Sequence, residues 1–213
     1  MTESLRLVVV SAGLRQPSST RLLADRLAAS AERALDDRGR AAQVRVIELR
    51  ELATDIAHNL VTGFPNETLA EALKAVESAD GLIVVSPIFS ASFSGLFKSF
   101  FDLIDPEALS GTPVLIAATG GSVRHSLALE HALRPLFSYL HATVVPTGVY
   151  AATEDWGASS SAGGTGSADL GHRVDRAAAE LAALLTTGLA AQRRERPTED
   201  YDDVVPFEQL LRG

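Results

Sequence analysis

Several hydroxyl side chains and one guanidinium lie close together near the start of the chain. They belong to Ser11, Arg15, Ser18, Ser19 and Thr20. Hydroxyl and guanidinium groups donate hydrogen bonds to phosphate oxygens, and the free N–H groups at a helix start attract an anion. An ordinary helix start needs only one capping side chain, such as Ser18 or Ser19. The stretch therefore predicts a phosphate-binding loop.

This stretch differs from the two commonest phosphate-binding motifs. A P-loop requires G-x-x-x-x-G-K-[ST], and the residues after Gly13 provide neither the second glycine nor the lysine. A dinucleotide fingerprint requires G-x-G-x-x-G after the first strand, where Gly13 stands alone. The residues thus favour another kind of α/β phosphate site.

A strand and a helix must flank such a loop. Residues 5–10 form an apolar run rich in β-branched side chains, and from Ser18 leucine and alanine recur at helical spacing. Similar patterns predict further strands at 43–49, 82–86, 112–119 and 143–150, with helices between them and a closing helix at 174–189. This alternation predicts an α/β fold with a doubly wound, five-stranded parallel sheet.

Two more loops are expected at the same edge of that sheet. The third strand is predicted to stop at Pro87, and a loop containing Ile88, Phe89 and Ser90 should follow it. The fourth strand runs into a small-residue loop formed by Thr119, Gly120, Gly121 and Ser122. Because ligands of open α/β sheets bind at the carboxyl ends of the strands, these loops and the phosphate-binding loop predict one shared site.

Composition limits the classes of function. The chain has 213 residues, 46% of them hydrophobic, and a formal net charge of −8, which argues against nucleic-acid binding as its main role. It has no cysteine, which excludes disulfides and thiolate chemistry. Without a signal peptide or a long apolar run, we expect a cytoplasmic protein that does not enter a membrane. Residues 1–190 are predicted to form one domain, followed by a charged tail at 191–213 with an apolar end patch.

All three loops resemble segments of the NADPH-dependent FMN reductase family, which is flavodoxin-like. The stretch S-A-G-L-R-Q-P-S-S-T at 11–20 is similar to the phosphate loop of that family. The stretch at 86–102 is similar to P-x-Y-x-x-S-x-x-G-x-x-K-x-x-x-D, with Phe89 where many members carry tyrosine. T-G-G-S at 119–122, followed after Val123 by R-H-S-L-A-L-E-H-A-L-R-P-L-F, resembles an actinobacterial branch paired with flavin-dependent monooxygenases.

The resemblance implies the sheet order 2-1-3-4-5 and an NAD(P)H-dependent FMN reductase. The hydroxyls of the first stretch and Arg15 would hold the FMN phosphate, or Arg15 the 2′-phosphate of NADPH. The isoalloxazine ring would lie against Pro87, Ile88, Phe89 and Ser90 on one side and Thr119, Gly120, Gly121 and Ser122 on the other. Hydride passes between the cofactors themselves, so no catalytic side chain is predicted.

Other interpretations stay open from the residues alone. They are a flavodoxin-like electron carrier, an NAD(P)H:quinone-type reductase, and an α/β protein that binds another phosphate ligand. His125, Glu130 and His131 are spaced to point in different directions on a helix, so no metal site is predicted. The family resemblance implies a homodimer or homotetramer, with the apolar helix at 96–104 and the tail patch at 204–210 as candidate interfaces.

Overall fold

Seven strands form one sheet in the computed structural model, which describes residues 4–156 and 166–187 without the side chains of 166–168. They are β1 (Leu5–Ser11), β2 (Ala42–Glu48), β3 (Gly81–Phe89), β4 (Ser92–Phe93), β5 (Pro113–Gly120), β6 (Thr143–Val144) and β7 (Val149–Ala152). The main order is β2-β1-β3-β5-β6, with all neighbours parallel. The predicted α/β fold and the order 2-1-3-4-5 are therefore confirmed, while the predicted count of five strands is too low.

One extra strand arises because the predicted fifth strand is interrupted. Both β6 and β7 pair with β5, but Pro146 lies between them and has no N–H for the ladder. The guanidinium of Arg134 instead donates to the carbonyl oxygens of Val145 and Pro146, at 3.1 Å each. The other extra strand, β4, pairs antiparallel with the end of β3.

Helices cover both faces of the sheet. They are α1 (Ser19–Asp36), α2 (Ala53–Thr62), α3 (Glu67–Glu77), α4 (Gly95–Phe101), α5 (Arg134–Tyr139) and α6 (Gly166–Thr186). Alternate residues of β1 point to opposite faces: Leu7 and Val9 pack with α1 and α6, whereas Val8 and Val10 pack with α3 and α4. Both faces are apolar, as expected of a parallel sheet with helices on each side.

The helix predicted at 96–104 contributes its aromatic side chains to this core. Phe97 and Phe101 are buried, and their ring centroids lie 4.7 Å apart. Phe137 of α5 packs edge-on against Phe101 at 5.0 Å. Because these rings fill the interior of the chain, a subunit interface at 96–104, which stays a prediction, would have to use the other side chains of this helix.

The helical stretch predicted at 125–141 is divided into shorter pieces. It contains a π-helical turn (Leu129–Leu133) followed by α5, and Pro135 lies in the first turn of α5, where its missing N–H is tolerated. The closing helix α6 begins at Gly166, earlier than the predicted 174. Residues 157–165, the tail 191–213 and its patch at 204–210 lie outside the described residues.

Candidate functional site

The carboxyl ends of β1, β3 and β5 lie side by side at one edge of the sheet, which we call the carboxyl edge. Ser11 pairs with Val85, and Pro87 pairs with Thr119. The stretch at 11–20, which we call the phosphate loop, leaves β1 here. The residues 119–122 at the end of β5, which we call the third loop, leave the neighbouring strand. The predicted convergence of these segments is thus present in the structure.

Ser18 organises the phosphate loop. It is the N-cap of α1, and its hydroxyl accepts a hydrogen bond of 3.2 Å from the amide of Arg21. A Cβ at Gly13 would lie 2.1 Å from the Ser18 hydroxyl oxygen, so only glycine leaves room for this cap. The amides of the first helical residues, Ser19 and Thr20, have no intrahelical acceptor, which leaves their N–H groups for an anion.

Ser11 and Arg15 are polar groups of the phosphate loop that no described residue satisfies. The Ser11 hydroxyl is buried and has no hydrogen-bond partner within 4–156 and 166–187. Leaving a buried hydroxyl unpaired costs about 1–3 kcal/mol, which favours a ligand that pairs with it. Arg15 is exposed beside this hydroxyl-rich stretch and has no ion pair with a described residue. Together with the free amides of α1, these donors fit a phosphate group.

A buried hydrogen bond ties the phosphate loop to the third loop. The hydroxyl oxygens of Thr20 and Thr119 lie 2.8 Å apart, and both side chains are buried. Either hydroxyl can be the donor, so each retains capacity for a further hydrogen bond. The start of α1 and the end of β5 are consequently held at a fixed separation across the carboxyl edge.

The segment after Pro87 is a tight hairpin, so the prediction that the strand stops at Pro87 and a loop follows it is wrong. The strand β3 continues through Pro87 and Ile88 to Phe89, and the turn residues Ser90 and Ala91 have φ of 50° and 67°. Positive φ at both positions is the geometry of a type I′ turn, which matches the twist of a two-stranded hairpin. Pro87 and Ile88 are buried, whereas Phe89 is 48% exposed beside the turn.

Ser86 fixes the base of this hairpin. Its hydroxyl is buried, donates to the carbonyl oxygen of Pro87 at 2.9 Å and accepts from the amide of Ser94 at 3.0 Å. The hydroxyl of Ser94 in turn accepts from the amide of Phe97 and caps α4. The sequence reasoning did not single out Ser86, although its position directly before Pro87 at the edge was the available signal.

The third loop begins inside β5, since Thr119 and Gly120 pair with Ala151 and Ala152 of β7. Gly121 is exposed, and a Cβ placed there would meet no atom within 4 Å. Ser122 turns the chain, because its hydroxyl accepts from the amide of Arg124 at 3.1 Å. The loop thus offers backbone and open space at Gly121, which suits the close approach of a flat ring.

A group of ion pairs beside the phosphate loop was not foreseen from the sequence. Glu48 ends β2 and pairs with Arg21 at 2.6 Å and with Arg50 at 3.2 Å. The hydrogen bond from Arg21 to Asp25, together with its attraction to Asp25 and Glu48, raises the pKa of Arg21 despite partial burial. These two arginines are occupied by carboxylates, whereas Arg15 is available to a ligand.

The described part of the chain has neither a metal-binding cluster nor a membrane-spanning helix. In residues 4–156 and 166–187, no three histidine, aspartate or glutamate side chains are grouped to hold a metal ion. His125 and His131, considered above as ligands, are both exposed. In the same residues, no helix has the length and apolar character needed to cross a bilayer.

Known proteins are similar to this chain over most of its length. The family model for NADPH-dependent FMN reductase matches residues 5–157. An FMN reductase (NADPH) of Pseudomonas aeruginosa is 44% identical over 156 residues, which cover 73% of this chain and 81% of that protein. The NADH-dependent FMN reductase SfnF of Pseudomonas putida is 41% identical over 153 residues, covering 72% and 80%. The structure of an oxidoreductase from Corynebacterium diphtheriae matches with a TM-score of 0.81 at 48% identity, covering 86% and 98%.

The parallel sheet order and the hydroxyl-lined loop after β1 define a flavodoxin-like α/β protein. The family match over most of its length shows further that the chain belongs to the NADPH-dependent FMN reductase family. It is an oxidoreductase, and its cofactors are FMN and NAD(P)H. The family resemblance carried by the three motifs is thereby confirmed.

Proposed function

We propose that the carboxyl edge binds FMN, with its phosphate on the phosphate loop and its ring between the hairpin and the third loop. The observation that carries this proposal is the buried contact between Thr20 and Thr119, which joins the two loops across the edge. The unpaired hydroxyl of Ser11 and the exposed guanidinium of Arg15 support the placement of the phosphate. Open space at Gly121 supports the placement of the flavin ring.

Bound FMN supplies a ring that accepts hydride from the nicotinamide of NAD(P)H and later gives up the electrons. The protein's part is to bind and orient. The amides at the start of α1 neutralise phosphate charge, and the exposed aromatic face of Phe89 gives a flat surface for stacking. Phe89 has no phenol, so the ring is oriented by shape and by backbone groups of the third loop.

The reduced flavin is, we infer, passed to a flavin-dependent monooxygenase. The resemblance of residues 119–137 to reductases paired with such enzymes supports this role. The exposure of Phe89 and Gly121 also supports it, since flavin bound at an open edge can leave after reduction. A flavodoxin-like carrier would instead retain its flavin, and a quinone-type reductase would pass electrons to a quinone at the same edge.

The test is steady-state oxidation of NADPH and of NADH with FMN as the varied substrate, in protein freed of flavin by dialysis. Saturation by FMN in large molar excess over protein, with many turnovers per protein, supports a reductase that releases reduced FMN. One equivalent of flavin that stays bound through gel filtration and is not reduced by either nucleotide would contradict it. Many turnovers with a benzoquinone at one equivalent of retained FMN would favour the quinone reductase.

We propose further a domain organisation, an oligomeric state and a cellular location for the enzyme. Residues 1–190 would form one FMN-binding domain, with 191–213 as an appended tail, in a cytoplasmic homodimer or homotetramer. Exposed apolar side chains in the last turn of α2 and just after it, namely Leu60, Val61 and Phe64, support self-association. Light scattering at micromolar concentration tests this point, and a sharp species at the chain mass of 22.5 kDa would contradict it.

A further inference from the structure

The third loop is supported from β7 by a buried tyrosine, Tyr150. Tyr150 lies in β7, is 4% exposed, and its hydroxyl donates a hydrogen bond of 2.8 Å to the carbonyl oxygen of Ser122. Ser122 is the last residue of the third loop, so the phenol contacts the loop where the chain turns away from β5. This hydrogen bond crosses from one strand to the loop of its neighbour.

The same hydroxyl fills the space beside Gly120. A Cβ at position 120 would lie 2.0 Å from the Tyr150 hydroxyl oxygen and 3.0 Å from the ring carbon that carries it. Gly121 differs, because a Cβ there would meet no atom within 4 Å. The two glycines therefore have different roles: Gly120 accommodates Tyr150 from inside the protein, and Gly121 leaves room on the outer side.

Tyr150 is itself held by charged groups on its backbone side. Arg173 of α6 donates to the carbonyl oxygen of Tyr150 at 2.6 Å and to the carboxylate of Asp155 at 2.9 Å. That carboxylate is buried and accepts from the amide of Ala152 at 2.7 Å. These contacts hold β7 against α6, so the phenol has a rigid base from which to support the third loop.

The phenol keeps its proton in this setting. Burial, with smaller contributions from the carboxylates of Asp155 and Glu154, raises the pKa of Tyr150 above its ordinary value. Because the neutral phenol is the form that donates to a carbonyl oxygen, the bond to Ser122 persists throughout the neutral pH range.

We propose that Tyr150 is a positioning residue that sets the conformation of Gly120, Gly121 and Ser122 for the flavin ring. This inference rests on the proposed function, since it assumes that the third loop contacts FMN. The hydroxyl acts on the loop in two ways: it fixes the carbonyl of Ser122, and it excludes any side chain at position 120. The loop is thereby supported at both ends, by Thr119 on Thr20 and by Ser122 on Tyr150.

The experiment compares FMN dissociation constants, measured by quenching of flavin fluorescence, for the full chain and its variants. Tyr150→Phe should weaken FMN binding about fivefold to tenfold, the effect expected for one lost hydrogen bond that orders a loop. The KM for NADPH at saturating FMN should change less than twofold. Tyr139→Phe removes the phenol of an exposed tyrosine on α5 and should leave FMN binding unchanged.

A substitution at Gly120 tests the contact between this position and the Tyr150 hydroxyl. Gly120→Ala keeps the Tyr150 hydroxyl but displaces it, so FMN binding should weaken more than in Tyr150→Phe. Combining the two substitutions should restore part of this loss, because removal of the hydroxyl oxygen relieves the contact at 2.0 Å and leaves the one at 3.0 Å. A role in stability alone would instead lower the free energy of unfolding of the variants and leave the FMN dissociation constant of the folded protein unchanged.

These outcomes separate the inference from the proposed function. If the unaltered chain does not bind FMN, the proposed function fails, and the inference fails with it. If the unaltered chain binds FMN while Tyr150→Phe or Gly120→Ala binds it equally well, only the role of Tyr150 is wrong. Partial restoration in the double variant, with unchanged binding in Tyr139→Phe, establishes the role.

Discussion

The hydroxyl oxygens of Thr20 and Thr119 lie 2.8 Å apart although 99 residues separate them in sequence. Thr20 is in the first turn of α1, and Thr119 is near the end of β5. Both are buried, so each hydroxyl has the other as its partner in place of water. The phosphate loop and the third loop are consequently parts of one bonded unit rather than independent loops.

Removing either hydroxyl should therefore destabilise the protein, because the other hydroxyl then stays buried without a hydrogen-bond partner. We expect Thr20→Val and Thr119→Val each to lower the free energy of unfolding by about 1–2 kcal/mol, because a buried hydroxyl remains unpaired. The double variant should lose little more than either single variant. Urea unfolding measures all three, with the exposed Thr62→Val as control. Strictly additive losses would show that the two hydroxyls are not coupled.

Glycine at position 13 should be required for the cap of α1. A Cβ there would approach the Ser18 hydroxyl oxygen to 2.1 Å, so Gly13→Ala should displace the cap and lower the free energy of unfolding by about 1–2 kcal/mol. Gly95→Ala is the matched control, because a Cβ at Gly95 meets no atom within 4 Å. Thermal or urea unfolding compares the two, and an equal effect of both substitutions would contradict this account of the loop.

The charge of Arg15 should strengthen the binding of ligands that carry a phosphate and should not affect the binding of ligands without one. Arg15→Gln should weaken FMN binding about tenfold, as expected for loss of one charge-assisted contact, and leave riboflavin binding unchanged. Fluorescence titration measures both ligands at two salt concentrations, since the difference should shrink as salt screens the charge. Arg33→Gln, an exposed site in the last turn of α1, makes the same change in net charge. An equal loss for riboflavin would remove Arg15 from the phosphate site.

Acid should destabilise the protein partly through Glu180. Although partial burial opposes its ionisation, hydrogen bonds from the hydroxyl and amide of Thr147 lower the pKa of Glu180 below the ordinary value of 4.5. A lowered pKa in the folded state gives stability that is present above the unfolded value and is lost as pH falls through the folded one. Glu180→Gln should lower the free energy of unfolding by about 1 kcal/mol near neutral pH and by less in acid.

Urea unfolding at about pH 7 and about pH 3.5 checks this dependence. Glu71→Gln is the control, because the Glu71 side chain is 66% exposed and lies 4.0 Å from its arginine partner. The same difference between Glu180→Gln and the unaltered chain at both pH values would show that the charge of Glu180 does not contribute.

Local sequence patterns were sufficient to predict the alternation of strands and helices and the loops after β1 and β5, whereas the order of the sheet was predicted from the family resemblance. The apolar run at 82–86 predicts a buried strand, and the hydroxyls around Ser18 predict a helix start, because both features depend on residues close in sequence. The hairpin after Pro87 was missed because a proline was taken as the end of the strand. The carbonyl oxygen of Val85 accepts a hydrogen bond from the amide of Ala12, directly after β1. The missing N–H of Pro87, two residues on, would face the same side, beyond the last paired residue of β1. There its missing N–H breaks no ladder bond.

Contacts between distant segments could not be predicted in this way. Nothing near Thr20 in sequence indicates Thr119, and nothing near Gly120 indicates that a tyrosine hydroxyl occupies the space beside it. Glycine at 120 is predicted to let the backbone approach the flavin ring, which stays a prediction; the structure adds that the absence of a side chain there accommodates Tyr150. Such pairings depend on which strands are neighbours, which is known only once the sheet is assembled.

The most direct test of the flavin site follows the absorbance of the protein with one equivalent of FMN as NADPH is added without oxygen. The account predicts that the flavin band at about 450 nm is lost with one NADPH oxidised per flavin. The variant Arg15→Gln should show the same loss only at higher FMN concentration. FMN that fails to bind, or that binds and keeps its band with both NADPH and NADH, would contradict the assignment of the carboxyl edge as a reductase site.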